Sequence, residues 1–168
     1  AWLGMAVAAF VYFMYKDKRL LIPFAVAALI AIIFVSSISG RITYMLSSEY
    51  VASSLRGGRL GRLGIGLEVL KENLWLGVGL GHFGGAVAMN NIPGSFYMDN
   101  YYLKTAIEMG ILGLAAFLAL ILCVLSQGFK TLKKLKDKPE KELVLGAFAG
   151  MCGVLFHNLF ENIFEVPM

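Results

Sequence analysis

The sequence predicts an all-α protein: a polytopic bundle of transmembrane helices with one long extracytoplasmic loop that contains an amphipathic helix. Three observations carry this. The composition is 58% hydrophobic with a mean hydropathy of +0.73, more apolar than an ordinary soluble domain. The apolar residues fall in near-continuous runs of bilayer length. Lysines and arginines collect in two short connectors between those runs, the pattern that sets orientation in a membrane. The net charge of +4 comes largely from the second connector and therefore reads as topology. Nothing in the chain resembles a nucleic-acid-binding module.

Residues 1–15 are apolar and end at Lys16-Asp17-Lys18-Arg19, which predicts a first span. Residues 20–38 carry no charge and predict a second, with Pro23 near the helix start, where a missing N–H costs least. Residues 39–100 form the long loop, 101–129 the third span, 130–142 a basic connector and 143–166 a fourth span. The chain opens inside an apolar run and ends abruptly at Met168, so a piece of a larger bundle is expected. With both basic connectors cytoplasmic, four spans place 39–100 on the opposite side. Cys123 and Cys152 lie inside apolar runs and are expected to pack as small hydrophobes, not to form a disulfide.

Within the loop, Leu60, Leu63, Leu67, Leu70 and Leu74 recur at alternating three- and four-residue steps, which puts them on one face of a helix. Arg59, Arg62, Glu68, Lys71 and Glu72 fall outside that stripe. A helix lying along the membrane surface over about 60–74 is expected, with Trp75 at the interface. The glycine-rich GVGLGHFGG that follows has no preceding strand and no βαβ context, so it is not a dinucleotide site.

Polar residues able to do chemistry concentrate on the loop side. Arg56, Arg59 and Arg62 are spaced three apart, and guanidinium offers planar paired donors that fit phosphate oxygens. If helical they share one face, unless Gly57-Gly58 interrupts. Such a cluster at a membrane surface suits lipid headgroups in general or one phosphorylated lipid; a merely solvated basic face is the alternative. Asn100, Lys104 and Glu108 follow at i, i+4 and i+8, about 12 Å along a helix. His157, Glu161 and Glu165 repeat that spacing in the fourth span, beside Asn158 and Asn162, with His157 about 24 Å along the helix from Lys141. Ionisable groups at such depth face a cavity or each other. One outcome is an interhelical clamp joining Lys104 to Glu108, Glu161 or His157, and the other is an interfacial pocket. His82 and His157 are far apart, and no HExxH, CxxC or DxD pattern suggests a metal. His82 reads as a loop polar contact.

The succession GGRLGRL, KENLWLGVGLGHFGG and DNYYLKTAIEMGILGL resembles the C-terminal region of the O-antigen ligase and O-antigen polymerase family, most closely over about residues 53–125. The resemblance implies a bacterial inner-membrane glycosyltransferase acting on the extracytoplasmic side. It implies transfer of glycan units from an undecaprenyl-diphosphate carrier to a glycan or lipid acceptor, with no cofactor and no metal. Matched to the family pattern, Arg59 takes the Gly-Arg position and Arg62 the next basic position. Asp99 stands where ligases carry an important histidine, which points away from a lipopolysaccharide ligase and toward a polymerase or another glycan transferase. Glu108, Gly110 and Gly113 match an E-x-G-x-x-G element. The catalytic candidates are Asp99 and Arg59; Arg56, Arg62, Asn100, Lys104, Glu108, His157 and Glu161 are candidates for substrate binding. A transporter using intramembrane Lys, Glu and His, and a non-catalytic membrane scaffold, are the competing readings.

Overall fold

The computed structural model describes residues 2–135 and 138–165. Part of the basic connector expected over 130–142, and the last residue of the expected fourth span, therefore lie outside the described residues. Those described form helices α1 (Trp2–Lys16), α2 (Leu21–Phe34), α3 (Ser36–Met45), α4 (Ser48–Leu55), α5 (Arg59–Glu72), α6 (Ala86–Asn91), α7 (Tyr101–Lys134) and α8 (Lys141–His157), with a single 3-10 turn at Lys18–Leu20 and no strand. The protein is all-α.

Among the described residues one helix, α7, is long and apolar enough to cross a membrane. The pair Lys18–Phe34 and Ser36–Met45 would supply a second if it is one span, but it bends by 80°. The uniform apolar run expected over 20–38 thus breaks at Val35, whose backbone is extended. Here the apolar residues give way to Ser36 and Ser37, and the Ser39 hydroxyl turns back to the Val35 and Ser36 carbonyls. α2 itself buries none of its residues.

α1 and α8 pack along each other with little between them. A Cβ at Gly153 would press on the Gly4 carbonyl and the Ala8 methyl, and one at Gly4 would press on the Gly153 carbonyl. Small residues permit this approach, which is how helices associate where water supplies no driving force. At the other end of the pair, Tyr12 donates to Glu142 at 2.7 Å and Lys16 lies 3.1 Å from the same carboxylate. The end of α1 and the start of α8 are therefore side by side.

α8 stops at His157, short of the span expected over 143–166. The cause is local: the Asn158 side chain donates to the Val154 carbonyl and accepts from the Ile163 amide, so it competes for groups a continuing helix would use. His157, Glu161 and Glu165 consequently do not share a helical face. Phe164, at helical spacing from Phe156 and Phe160, packs on the Tyr101 ring at 5.2 Å.

The expected amphipathic helix is present as α5, starting one residue earlier and ending two residues sooner than expected. Its packed face is rotated from the leucine stripe. Leu63 and Leu70 join a small core with Phe83, Met98 and Ile107, while Leu60, Leu67 and Leu74 stay exposed. The closest approach is at Gly66, where a Cβ would meet the Ile107 methyl. At roughly 100° per residue, Arg59 and Arg62 sit on the Gly66 side of α5, not opposite the packed face.

α7 is two helices stacked end to end. Gly110 has φ +69 and ψ −177 inside it, a conformation essentially confined to glycine. The break frees carbonyls that the glycine-rich loop then takes up: Val78 donates to Ile107 at 2.9 Å, Gly79 to Glu108 at 2.9 Å, and Ile111 donates to Leu74 at 2.8 Å. A Cβ at Gly110 would collide with the Trp75 carbonyl, and one at Gly77 with the Glu108 backbone. Two glycines meeting across this joint tie the loop after α5 to the head of α7.

Candidate functional site

The site is assembled from three pieces: the first turn of α5, residues 97–104 at the head of α7, and the non-helical turn after α8. Gly57 and Gly58 make the α4–α5 turn tight, since a Cβ at Gly58 would sit 2.7 Å from the Ser54 Cα. The Ser54 hydroxyl then accepts from the Leu60 amide at 3.1 Å. α5 starts immediately, with Arg59 and Arg62 in its first turn.

Both guanidiniums reach Asp99. Arg59 Nε is 3.8 Å from Oδ1 and Arg62 Nη1 is 3.5 Å from Oδ2. Arg62 also donates to the Tyr97 carbonyl at 3.1 Å. Arg59 Nη2 lies 3.6 Å from Glu161 Oε2. These separations are longer than tight charge-assisted hydrogen bonds of about 2.7–2.9 Å. A cavity of about 80 Å³ opens beside the pair, lined by Arg59, Leu63, Met98, Asp99, Asn100, Leu159 and Phe160.

Behind this lies a buried ion cluster. Lys104 Nζ is 2.7 Å from Glu108 Oε2 and 2.7 Å from Glu165 Oε2. Glu108 also accepts from the Phe83 amide at 3.2 Å, and Glu165 from the Val87 amide at 3.5 Å. One ammonium thus binds α7, the glycine-rich loop, the start of α6 and the turn after α8. Gly85 has no room for a Cβ because Glu165 and Lys104 fill that space. Burial favours the neutral form of Glu165, yet the Lys104 ammonium outweighs it and holds this carboxyl below its ordinary value.

Of the expected site residues, the structure brings together Arg59, Arg62, Asp99 and Glu161, with Asn100 at the cavity and Lys104 and Glu108 behind it. Asn100 serves as the N-cap of α7, accepting from the Leu103 amide at 2.8 Å. Arg56 is not in the cluster. It ends α4, on the far side of the Gly57-Gly58 break, and borders an open groove of about 700 Å³ with Ser48, Glu49, Ala52, Ser53 and Gly57. This groove is larger than the cavity at Arg59, but it holds none of the paired charges. His157 packs its ring against Gly4 of α1. The clamp partners of Lys104 are Glu108 and Glu165, not Glu161 or His157. His82 makes its contact with the Leu80 carbonyl at 3.0 Å.

Two residues outside the expected set shape the site. Glu165 completes the Lys104 cluster. The Tyr97 hydroxyl lies 2.6 Å from both the Asn162 and Glu165 carbonyls and fastens the turn after α8. Burial first, and neighbouring Glu165 second, hold that hydroxyl above its ordinary value, so it stays a donor. The sequence signal for Glu165 was its spacing from Glu161; Tyr97 gave none.

The chain is all-helical among its described residues, carries a membrane-length apolar helix, and seats a polar cluster, the candidate site, at the head of that helix. The family model described as O-antigen ligase matches residues 1–118, and the chain belongs to that family. The match takes in Arg59, Arg62, Asp99 and the Gly110 joint, and it extends to α1 through α4. No curated protein and no solved structure gives a match. Membership carries a membrane setting and glycan processing of the ligase or polymerase type on lipid-linked substrates.

Proposed function

We propose that this chain transfers or polymerises glycan units from an undecaprenyl-diphosphate carrier at the extracytoplasmic face of a bacterial inner membrane. The observation that carries the reading is the convergence of Arg59 and Arg62 on Asp99 beside a cavity at the head of α7. In this reading the ends 16–19 and 130–141 are cytoplasmic, consistent with the Lys16–Glu142 contact that sets α1 and α8 ends together. The polytopic arrangement and the outward position of 39–100 belong to the same proposal.

The chemistry is an inverting displacement. The acceptor hydroxyl oxygen attacks the anomeric carbon, the bond from that carbon to the diphosphate breaks, and its electron pair leaves on the diphosphate oxygen. The hydroxyl proton passes to a base, for which we assign Asp99, the carboxylate that lies beside both arginines. Charge grows on the leaving diphosphate as the bond breaks, so guanidiniums fixed beside it gain more in the transition state than in the ground state. No nucleotide sugar or metal enters this pathway. Lys104 and Glu108 hold the loop and α7 in register behind the reacting groups.

Measuring polymer or ligated glycan made by the intact protein at matched membrane expression tests this. Arg59→Ala is expected to lose about a hundredfold in rate, about 3 kcal/mol. Arg59→Lys should fail nearly as badly, since lysine keeps charge but not paired donors. Arg56→Ala should cost much less. Near-normal activity of both Arg59→Ala and Arg62→Ala would refute the diphosphate role.

A transporter remains the second reading because α7 breaks at Gly110 and α2–α3 bends at Val35, and broken helices are where transporters bind ions. At Gly110, however, the freed Ile107 and Glu108 carbonyls already accept from Val78 and Gly79. That favours a structural joint over an ion site.

A further inference from the structure

Arg59 is shared by two carboxylates that are held in different ways. Asp99 is largely buried, with 17% of its side chain exposed, and sits between both arginines. Glu161 is 44% exposed, and Arg59 is its one ion-pair partner among the described residues. The backbone carrying Glu161 is not loose. The Asn158 carbonyl accepts from the Tyr101 amide at 3.0 Å, the Tyr97 hydroxyl reaches the Asn162 and Glu165 carbonyls, and Glu165 is fixed on Lys104. A turn fastened on both sides of residue 161 thus presents a carboxylate to a guanidinium at 3.6 Å, and that guanidinium is itself 46% exposed.

We propose that Glu161 is a displaceable counter-ion: it occupies Arg59 when the site is empty and yields that guanidinium to a phosphate oxygen of the incoming diphosphate. This rests on the diphosphate reading above and adds the residue that ligand must displace. A carboxylate and a phosphate oxygen compete for the same donors, and a diphosphate presents more oxygens and more charge than one carboxylate. Asp99, wedged against Arg62 as well, stays. The exchange sets a threshold that a singly charged phosphodiester headgroup meets less well than a diphosphate, so Glu161 tunes which membrane phosphate is held.

The test is equilibrium binding of farnesyl diphosphate to the intact protein in nanodiscs, for wild type, Glu161→Gln, Arg59→Ala, Arg62→Ala and the Arg59→Ala/Glu161→Gln double variant. Removing the competing charge of an exposed pair should tighten binding by about two- to fivefold. The same Glu161→Gln change in the Arg59→Ala background should then do nothing. This coupling separates displacement from a merely structural role, because a structural effect of residue 161 would persist without Arg59. If Arg59→Ala weakens binding but Glu161→Gln leaves it unchanged or weaker, the displacement idea is overturned and the diphosphate reading stands. Equal binding by wild type, Arg59→Ala and Arg62→Ala would overturn the diphosphate reading itself. Displacement of the probe as readily by phosphatidylglycerol as by inorganic pyrophosphate would overturn the selectivity.

Discussion

Gly110→Ala should cost more than any other single methyl added to this chain. Gly110 stands at φ +69 and ψ −177, where a side chain is strained by about 1–3 kcal/mol. The added methyl would also run into the Trp75 carbonyl, and relief requires the loop to move off α7. Such movement breaks three backbone hydrogen bonds, Val78 to Ile107, Gly79 to Glu108 and Ile111 to Leu74, each worth about 1 kcal/mol net. The sum is about 4–6 kcal/mol, comparable to the whole stability of many domains. The assay is thermal unfolding of purified protein in nanodiscs beside Gly146→Ala, since Gly146 has open space around its Cα. Gly146→Ala should unfold near wild type, and Gly110→Ala should fail to accumulate or unfold far lower. Equal melting of the two variants would refute the backbone joint and, with it, the account of how the loop is held at the head of α7.

Lys104→Met should destabilise by about 3–5 kcal/mol, because it leaves two partnered carboxylates without their cation in a buried setting; restoring near-wild-type unfolding with Lys104→Met alone would contradict the cluster. The Glu165 carboxyl sits below its ordinary value of 4.5 when folded. Its contribution is therefore fully present above 4.5 and is lost as pH falls through 4.5 to the depressed folded value. Acid unfolding of wild type and Glu165→Gln should converge at the bottom of that window, and a stability gap that stays constant with pH would count against the Lys104 contact.

Much of the architecture was legible because it rests on composition and period. The all-helical class followed from apolar run length, and α5 from three- and four-residue leucine spacing. The leucine spacing puts a stripe toward the bundle or lipid, and the structure divides it, with Leu63 and Leu70 on the small core and Leu60, Leu67 and Leu74 exposed. What spacing did not give is the contact at Gly66, where the residue with no side chain allows the closest approach to Ile107. The turn after α8 misled for another reason. His157, Glu161, Glu165 and the phenylalanines keep helical spacing, but Asn158 satisfies two backbone groups with its own amide and ends the helix. Gly110 was visible as part of a motif. Its positive φ was not, since the need for it arises from Gly77 and Trp75, far away in sequence.

The rotation of α5 also decides what the arginines can do. On a helix packed through the middle of its leucine stripe, Arg62 would point to solvent or headgroups and Arg59 would lie at the edge of the stripe. On the observed helix they point across the Gly66 side to Asp99, and α5 is pinned there by Leu63, Leu70 and the small core under the loop. Donors fixed by packing need little reorganisation when charge appears beside them, which is what preorganised catalysis requires. Net charge does not supply the attraction. Arg59, Arg62 and Lys104 face Asp99, Glu161, Glu108 and Glu165, so the paired cluster holds one more carboxylate than cation. A diphosphate entering this site must exchange with a carboxylate instead of adding to a positive patch, and Glu161 is the exposed carboxylate on Arg59.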